Sequence, residues 1–344
     1  MALGNGRVLI HSPWATGQDG GRFFAFGNLA DLPPDQRAED GRSVCIDRPV
    51  CDTPIDLLGR AVAQLRLRST HDRGHVIVRL CDVAPDGSSN LVSRGVLNLL
   101  KREGMDVVTP LVPGEDVEVE VPLVGAGYRF LPGHRIRIAL SNHYWPWVWP
   151  HAVDDTLDVD LGHSRIALPL VAGGAQTVAF GTPFHARPIT IVAPEGAPPT
   201  RPARTVSHDL ATFTTTLDVD PDYGGTRAAR RVTHAPAPCP PPLAAAPAGG
   251  APRQYPDGLT FLESAREVYS IQEHCPTSPR TESHWQVRMA RAEWVAEIET
   301  RSVISSDADT FSLVNTVRAV AECDGIRETV FDHTFYDTRP RTSA

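Results

Sequence analysis

Short segments in which apolar and polar residues alternate recur along most of this chain. The clearest are Ala61–Arg68, His75–Val83, Asp116–Leu123 and Arg135–Leu140. A period of two is typical of a β-strand with one buried face, because successive side chains of a strand point to opposite faces of the sheet. Long helical periodicity is almost absent. The pattern therefore predicts an all-β protein with antiparallel strands.

Turn-forming residues separate these segments. The 344 residues include 31 prolines and 27 glycines, spread along the whole chain. Pro85-Asp86-Gly87 and Asp324-Gly325 carry the residues that tight turns prefer, since proline presets φ and glycine accepts a positive φ. Pro132-Gly133 reverses the chain before another alternating segment. Many short strands joined in this way predict a β-sandwich.

The last third of the chain predicts a meander of longer antiparallel strands. The expected strands are Ser283–Ala290, Glu293–Thr300, Thr310–Glu322 and Ile326–Phe335. We expect three parts: a sandwich over residues 1–225, a linker or surface insertion over 226–253, and a meander over 254–344 that packs on or extends the sandwich. The middle part is rich in proline and alanine and has no periodicity. Thr205–Val219, rich in threonine and β-branched residues, is expected to continue the strands of the first part.

Composition and charge exclude several classes of protein. Apolar residues make up 41% and charged residues 22%, which is ordinary for a globular chain. The net charge is −8 with both signs interspersed, and a nucleic-acid binder would need clustered Lys and Arg. No apolar run approaches the ~20 residues that cross a bilayer, and the N-terminus does not read as a secretory signal. We therefore expect a cytoplasmic protein without nucleic-acid or membrane partners.

The six cysteines are scattered and form no CxxC pair, so they predict reduced thiols rather than a zinc knuckle. A bridge between Cys45 and Cys51 is the one alternative. His71 and His75 are four residues apart, but a hairpin loop between them need not bring their rings together. Asp218, Asp220 and Asp222 read as a solvated acidic turn, because the glutamate that closes a calcium loop is missing. No metal or other cofactor is predicted.

Three long segments resemble a known family. They are VRLCDVAPDGSSNLVSRGVLNL (residues 78–99), PLVPGEDVEVEVPL (110–123) and FLPGHRIRIALSNHYWPWVWP (130–150). Together with shorter matches from about Arg7 to Arg339, they resemble the C-terminal domain of the X-Pro dipeptidyl-peptidase and cocaine-esterase (CocE/NonD) hydrolases. The resemblance implies a jelly-roll-like antiparallel β-sandwich.

The catalytic signature of that family is missing from this sequence. Its hydrolases carry an α/β-hydrolase domain ahead of the sandwich, with a nucleophilic serine in a Gly-x-Ser-x-Gly turn. Gly-x-Ser occurs three times here, but the second glycine is absent each time. The chain also begins close to where the sandwich would begin. We therefore expect that the catalytic half is absent and that no family catalytic residue carries over.

An aromatic cluster between His143 and His151 is the densest unusual feature. Tyr144, Trp145, Trp147 and Trp149 lie between the two histidines. One interpretation is a rigid corner that closes the sandwich, since indoles bury a large apolar area. The other is a pocket in which the four rings bind substrate and the two histidines act as acid–base groups.

Three functions remain open at this point. The favoured hypothesis is a substrate-shaping or assembly module for a separate α/β-hydrolase subunit, with self-association as another use of the same exposed surface. The second is a repurposed enzyme, such as a cyclase or isomerase of secondary metabolism, that binds an apolar small molecule. The third is a degenerate or purely structural domain, which the intact strand pattern disfavours. Whether the chain is an enzyme at all is left undecided.

Overall fold

A computed structural model describes residues 1–23, 25, 31–50, 52–171, 181–182, 203–220 and 253–341. The predicted all-β fold is confirmed, because the helical elements of this part are single turns at α1 (Arg37–Asp40) and at a 3₁₀ turn (Leu99–Lys101). The strands are β1 (Arg7–Ile10), β2 (Val44–Pro49), β3 (Ile55–Gly59), β4 (Val62–Ser69), β5 (His75–Val83), β6 (Ser89–Asn98), β7 (Val117–Pro122), β8 (Ala126–Phe130), β9 (Arg135–Ser141), β10 (Leu157–Ala167), β11 (Ala203–Asp209), β12 (Thr214–Asp220), β13 (Arg253–Gln254), β14 (Thr260–Gln272), β15 (Arg280–Arg291), β16 (Trp294–Ser306), β17 (Thr310–Cys323) and β18 (Ile326–Pro340).

The first ten strands build the sandwich. One four-stranded sheet has the order β1-β10-β4-β7 and the other has the order β2-β9-β5-β6. The chain crosses between these two sheets several times, and every pairing is antiparallel. Strands β3 and β8 pair with each other at the side. The sheets face each other across one hydrophobic cluster, to which Leu67, Leu80, Val121 and Ile138 belong.

Strand β5 is buried on both faces, although its alternating sequence predicts one wet face. Its inner residues join the core, and its outer face carries Arg79, which is fully buried. The Arg79 guanidinium pairs with Asp40 at 3.0 Å and donates hydrogen bonds to Gln36 and Ser43 at 3.1 Å. The segment around α1 therefore covers this face, and paired polar groups make the burial of a charge tolerable.

The C-terminal strands form a second, larger antiparallel sheet, as the predicted meander requires. Its order is β11-β12-β14-β15-β16-β17-β18, and β13 pairs with one end of β14. Strands β14 to β18 run for 12 to 15 residues, and β18 is the last strand of the order. The Asp324-Gly325 turn joins β17 to β18, and both residues have a positive φ, as predicted.

Strands β11 and β12 belong to this second sheet. The sequence pattern predicts that their residues continue the sandwich of residues 1–225. The segment predicted as one strand, Thr205–Val219, is a hairpin, and its second strand pairs with β14 over six residues. Alternation along a strand does not identify its neighbour, because strands of both sheets share the same period. The predicted linker lies outside the described residues except for Arg253.

Among the described residues, no helix has the length and apolar character that crossing a bilayer requires. Cys45 is a free thiol whose Sγ lies 3.4 Å from the carbonyl oxygen of Asp40. Its predicted alternative partner, Cys51, lies outside the described residues.

Candidate functional site

The aromatic cluster lies between β9 and β10, where it forms a corner facing the second sheet. We call residues 143–151 the aromatic corner. Trp145 and Trp149 pack with Trp14 and Ala15 of the sandwich and with Tyr269 and Ile271 of β14. The corner therefore joins the sandwich to the second sheet. Neither interpretation of the sequence, a corner that closes the sandwich or a pocket, included this contact with the second sheet.

Specific contacts fix the three indoles. The Nε1 of Trp149 donates to Ser306 Oγ at 3.0 Å. Its ring meets that of Phe311 edge-to-face with the ring centres 5.4 Å apart, which is an arrangement that aromatic pairs prefer. The Nε1 of Trp147 donates to the Gly21 carbonyl at 2.8 Å. Trp145 is almost fully buried, and in the part of the chain that the structure describes its Nε1 has no hydrogen-bond partner.

A partly buried arginine supports the corner from the side of β6. Arg94 Nη1 lies 3.0 Å from the hydroxyl of Tyr144, and its guanidinium carbon is 3.4 Å from the centre of the Trp147 ring. This stacking places a cation on the electron-rich ring face. Burial lowers the pKa of Arg94 and raises the pKa of the Tyr144 hydroxyl.

The two candidate histidines occupy different buried environments. His143 stacks on Trp14 with ring centres 4.7 Å apart, and neither of its ring nitrogens has a hydrogen-bond partner among the described residues. His151 stacks on His75 at 4.0 Å, and its Nε2 lies 3.2 Å from Asn98 Oδ1. Burial lowers the pKa of both His143 and His151 to about 4. Both imidazoles are therefore neutral near pH 7.

Little free space adjoins these rings. Beside His143 and Trp145 there is no room for a water molecule. On the other side of the corner, next to Trp147, a cavity of about 60 Å³ is lined in part by Arg204 and Tyr269. Ligand pockets for small molecules usually measure ~300–1,000 Å³. The proposed acid–base role of His143 and His151, and substrate binding by Tyr144, Trp145, Trp147 and Trp149, stay predictions.

The other sequence candidates are not assembled into sites. His75 turns into the buried cluster with His151, whereas His71 lies in the loop before β5. Asp218 forms an ion pair with Arg266 at 2.5 Å across β12 and β14. Asp222 lies outside the described residues.

A cluster that the sequence did not reveal lies at the rim of the aromatic corner. His11 Nε2 is 2.9 Å from Asp154 Oδ1, and His274 Nδ1 is 3.0 Å from Asp154 Oδ2. These side chains come from three segments that are far apart in the sequence and do not form a known metal-binding motif. Their proximity could have been predicted only from the way in which the sandwich and the second sheet pack. Two imidazoles and one carboxylate are ligand types that transition metals use.

Comparisons with known proteins place the sandwich in a family. The model of the X-Pro dipeptidyl-peptidase C-terminal non-catalytic domain matches residues 9–189, which is more than half of the chain. A serine esterase of Mycobacterium bovis is 33% identical over 126 residues, covering 32% of this chain and 20% of the relative. The cocaine esterase of a Rhodococcus species is 30% identical over 128 residues, covering 37% of this chain and 22% of the relative.

A solved structure gives a partial match to half of this chain. It is an aminopeptidase from a marine sediment Thaumarchaeota archaeon, with 19% identity and a TM-score of 0.42, covering 50% of this chain and 34% of that one. The matches span about a fifth of the length of the curated relatives. The resemblance found in the sequence is confirmed over residues 9–189, and this chain belongs to the X-Pro dipeptidyl-peptidase C-terminal non-catalytic domain family.

Proposed function

We propose that this chain is the non-catalytic β-sandwich module of a serine hydrolase and that it assembles with an α/β-hydrolase catalytic unit on a separate chain. In that assembly it would help to shape the substrate site. The observation that carries the proposal is an apolar sheet face that begins under the sandwich and continues beyond it.

That face is defined by the register of the second sheet. Val287, Ile298, Ala319 and Phe331 are successive cross-strand neighbours on β15 to β18. The same face carries Tyr269, Ile271 and Phe311, which meet the aromatic corner. We call its partly exposed portion the apolar face. Its apolar residues are Trp285, Val287, Ile298, Val317, Ala319, Phe331 and Phe335, and Thr300 and His333 lie among them.

The opposite face of the same sheet has the character of a surface in contact with water. It carries ion pairs that link different strands, such as Arg301 with Glu282 at 2.8 Å and Arg327 with Glu297 at 2.5 Å. Exposed ion pairs of this kind contribute little to stability, but their charged groups stay hydrated when the face is in contact with water. The asymmetry between the two faces indicates that only the apolar face requires a cover.

Strand β18 adds an open edge to that face. Phe331 and Phe335 are 45% and 47% exposed, and β18 pairs on one side only, with β17, in the described part of the chain. A long edge strand with exposed aromatic rings is prone to association unless a partner covers it. We infer that the cover is the catalytic unit, since the relatives that share the sandwich are named as esterases.

The chain's own chemistry agrees with a non-catalytic role. No Gly-x-Ser-x-Gly sequence occurs in it. In the described ranges, histidine rings hydrogen-bond to carboxylates, to Thr215 and to Asn98, and none bonds to a serine hydroxyl. The alternative, an enzyme that binds an apolar small molecule, would need more space beside the aromatic corner than the cavity of about 60 Å³ next to Trp147.

The test is affinity purification of the tagged chain from its native host, followed by labelling with a fluorophosphonate, which reacts with activated serines. We expect a labelled partner in a 1:1 ratio and an unlabelled tagged chain. The double variant Phe331→Asp/Phe335→Asp should lose the partner, because two charges would be buried at the interface.

Tyr336→Asp is the matched control, since Tyr336 lies on the same strand but on the opposite face and is 79% exposed. It should retain the partner. Labelling of the tagged chain itself, capture that survives the double variant, or a homodimer that only the double variant disrupts would each contradict the proposal.

A further inference from the structure

We propose that His11, Asp154 and His274 bind one divalent cation of the zinc class and that this cation fastens the second sheet to the sandwich. His11 follows β1, Asp154 precedes β10, and His274 lies in the loop between β14 and β15. The first two belong to the sandwich and the third to the meander.

The ligand atoms are already gathered. One nitrogen of each ring and one carboxylate oxygen all lie within 4.8 Å of one another. Ligands held about 2.0–2.1 Å from a tetrahedral zinc ion are about 3.4 Å apart. The rings of His11 and His274 are nearly parallel, with an angle of 22° between their planes and their centres 5.9 Å apart. Each ring directs one nitrogen towards the carboxylate of Asp154. Small side-chain rotations would complete the geometry.

A buried side chain orients the carboxylate. Trp14 Nε1 donates to Asp154 Oδ1 at 3.1 Å, and Trp14 is fully buried. The backbone N–H of Trp14 donates to the carboxylate of Glu273 at 3.0 Å, which anchors the residue next to His274. Outer partners that hold a ligand in place are typical of metal sites and are not needed by a solvated ion pair.

The ligand set selects the class of cation. Two imidazoles and one carboxylate suit Zn²⁺, Co²⁺, Ni²⁺ or Fe²⁺, whereas Ca²⁺ and Mg²⁺ take mainly oxygen ligands. The side chains of His11 and His274 are 40% and 61% exposed, which leaves an open position for water. We use Zn²⁺ as the probe.

The position of the cluster gives the cation a structural effect. Asp154 is 143 residues from His11 and 120 residues from His274 along the chain. A cation bound only in the native arrangement would stabilise the packing of the two sheets, because the ligands are not together in the unfolded chain.

The test is calorimetric titration of the full chain with Zn²⁺ after dialysis against a chelator and alkylation of accessible thiols. We expect one bound Zn²⁺ per chain and a thermal midpoint that rises with Zn²⁺ and falls again with EDTA. His11→Gln and His274→Asn should weaken binding by more than the ~10–100-fold that follows loss of an outer partner, and they should abolish the thermal shift.

Asparagine is chosen at position 274 because His274 has φ +55°, a conformation that asparagine tolerates. His163→Gln is the matched control, since His163 is an exposed ring with a single carboxylate partner, Asp160, at 2.9 Å. It should bind Zn²⁺ like the unmodified chain. Equal binding by all four proteins, or no stoichiometric binding by the unmodified chain, would show that the cluster is only a hydrogen-bonded group.

Discussion

Burial controls the protonation of single residues around the aromatic corner. His143 and His151 are neutral in the fold at pH values where an exposed histidine carries a charge, because transfer of an imidazolium ion into an apolar site is unfavourable. The third histidine of the region, His75, has a pKa well below its ordinary value for the same reason, reinforced by His151. These groups link the stability of the protein to pH.

We predict that the free energy of unfolding falls as the pH drops from about 6.5 to 4. In this range the unfolded chain takes up protons at His143 and His151, whereas the folded chain does not until the pH reaches about 4. For each of the two histidines, the free energy of unfolding falls by about 1.4 kcal/mol per pH unit. Over the whole pH range this amounts to about 3 kcal/mol for each histidine. Urea unfolding at a series of pH values measures this loss.

Replacement of one ring separates its contribution. His151→Phe keeps a ring against His75 but removes the titrating group, so the pH slope should decrease by about one proton. An unaltered slope in His151→Phe would mean that His151 is charged in the fold.

At the scale of elements, the loop after β1 is shaped by the aromatic corner. Gly17 has φ +103°, and a Cβ at this position would lie 2.4 Å from the carbonyl carbon of Tyr144. The N–H of Gly17 also donates to the buried carboxylate of Glu39 at 2.8 Å. The close approach of two backbones therefore requires glycine for space as well as for conformation.

Gly17→Ala should destabilise the protein much more than Gly87→Ala. Gly87 also has a positive φ, +86°, but a Cβ there would meet nothing within 4 Å. Both substitutions carry the conformational cost, and only Gly17→Ala adds a steric clash, so we expect about 1–3 kcal/mol of additional destabilisation. Denaturant unfolding of the two variants gives the difference directly, and equal values would rule out the close approach.

At the scale of the whole molecule, two sheet systems share one aromatic interface. Trp149 reaches from the sandwich side to Ser306 and Phe311 at the β16–β17 end of the second sheet. Arg341, after the last strand, donates to the carbonyl of Pro150 at 2.7 Å. These contacts set the position of the apolar face beside the sandwich.

We predict that Trp149→Ala loosens the second sheet while the sandwich stays folded. Loss of a large aromatic side chain from a packed interface costs about 3–5 kcal/mol, and amide hydrogen exchange should rise in β16 and β17 more than in β4 and β5. Trp294→Ala is the control, because Trp294 lies at the far end of β16 and is 38% exposed. Uniform acceleration in both sheet systems would show instead that the protein unfolds as one unit.

The sequence by itself determined the features that depend on neighbouring residues. Alternation identified β4, β5, β7 and β9 to within one residue at every end, because the period of two is a local property of a strand. The Asp324-Gly325 turn was predicted from the conformations that these two residues accept. The family was recognised because its motifs, such as residues 130–150, are continuous in the chain.

Only the tertiary structure decided which distant segments meet. It paired β12 with β14, buried Arg79 under the α1 segment, and turned the aromatic corner into an interface between two sheets. It also brought His11 and His274 to the same carboxylate. These outcomes depend on how two faces of similar polarity pack, and the local alternation of residues is the same whichever partner a face selects.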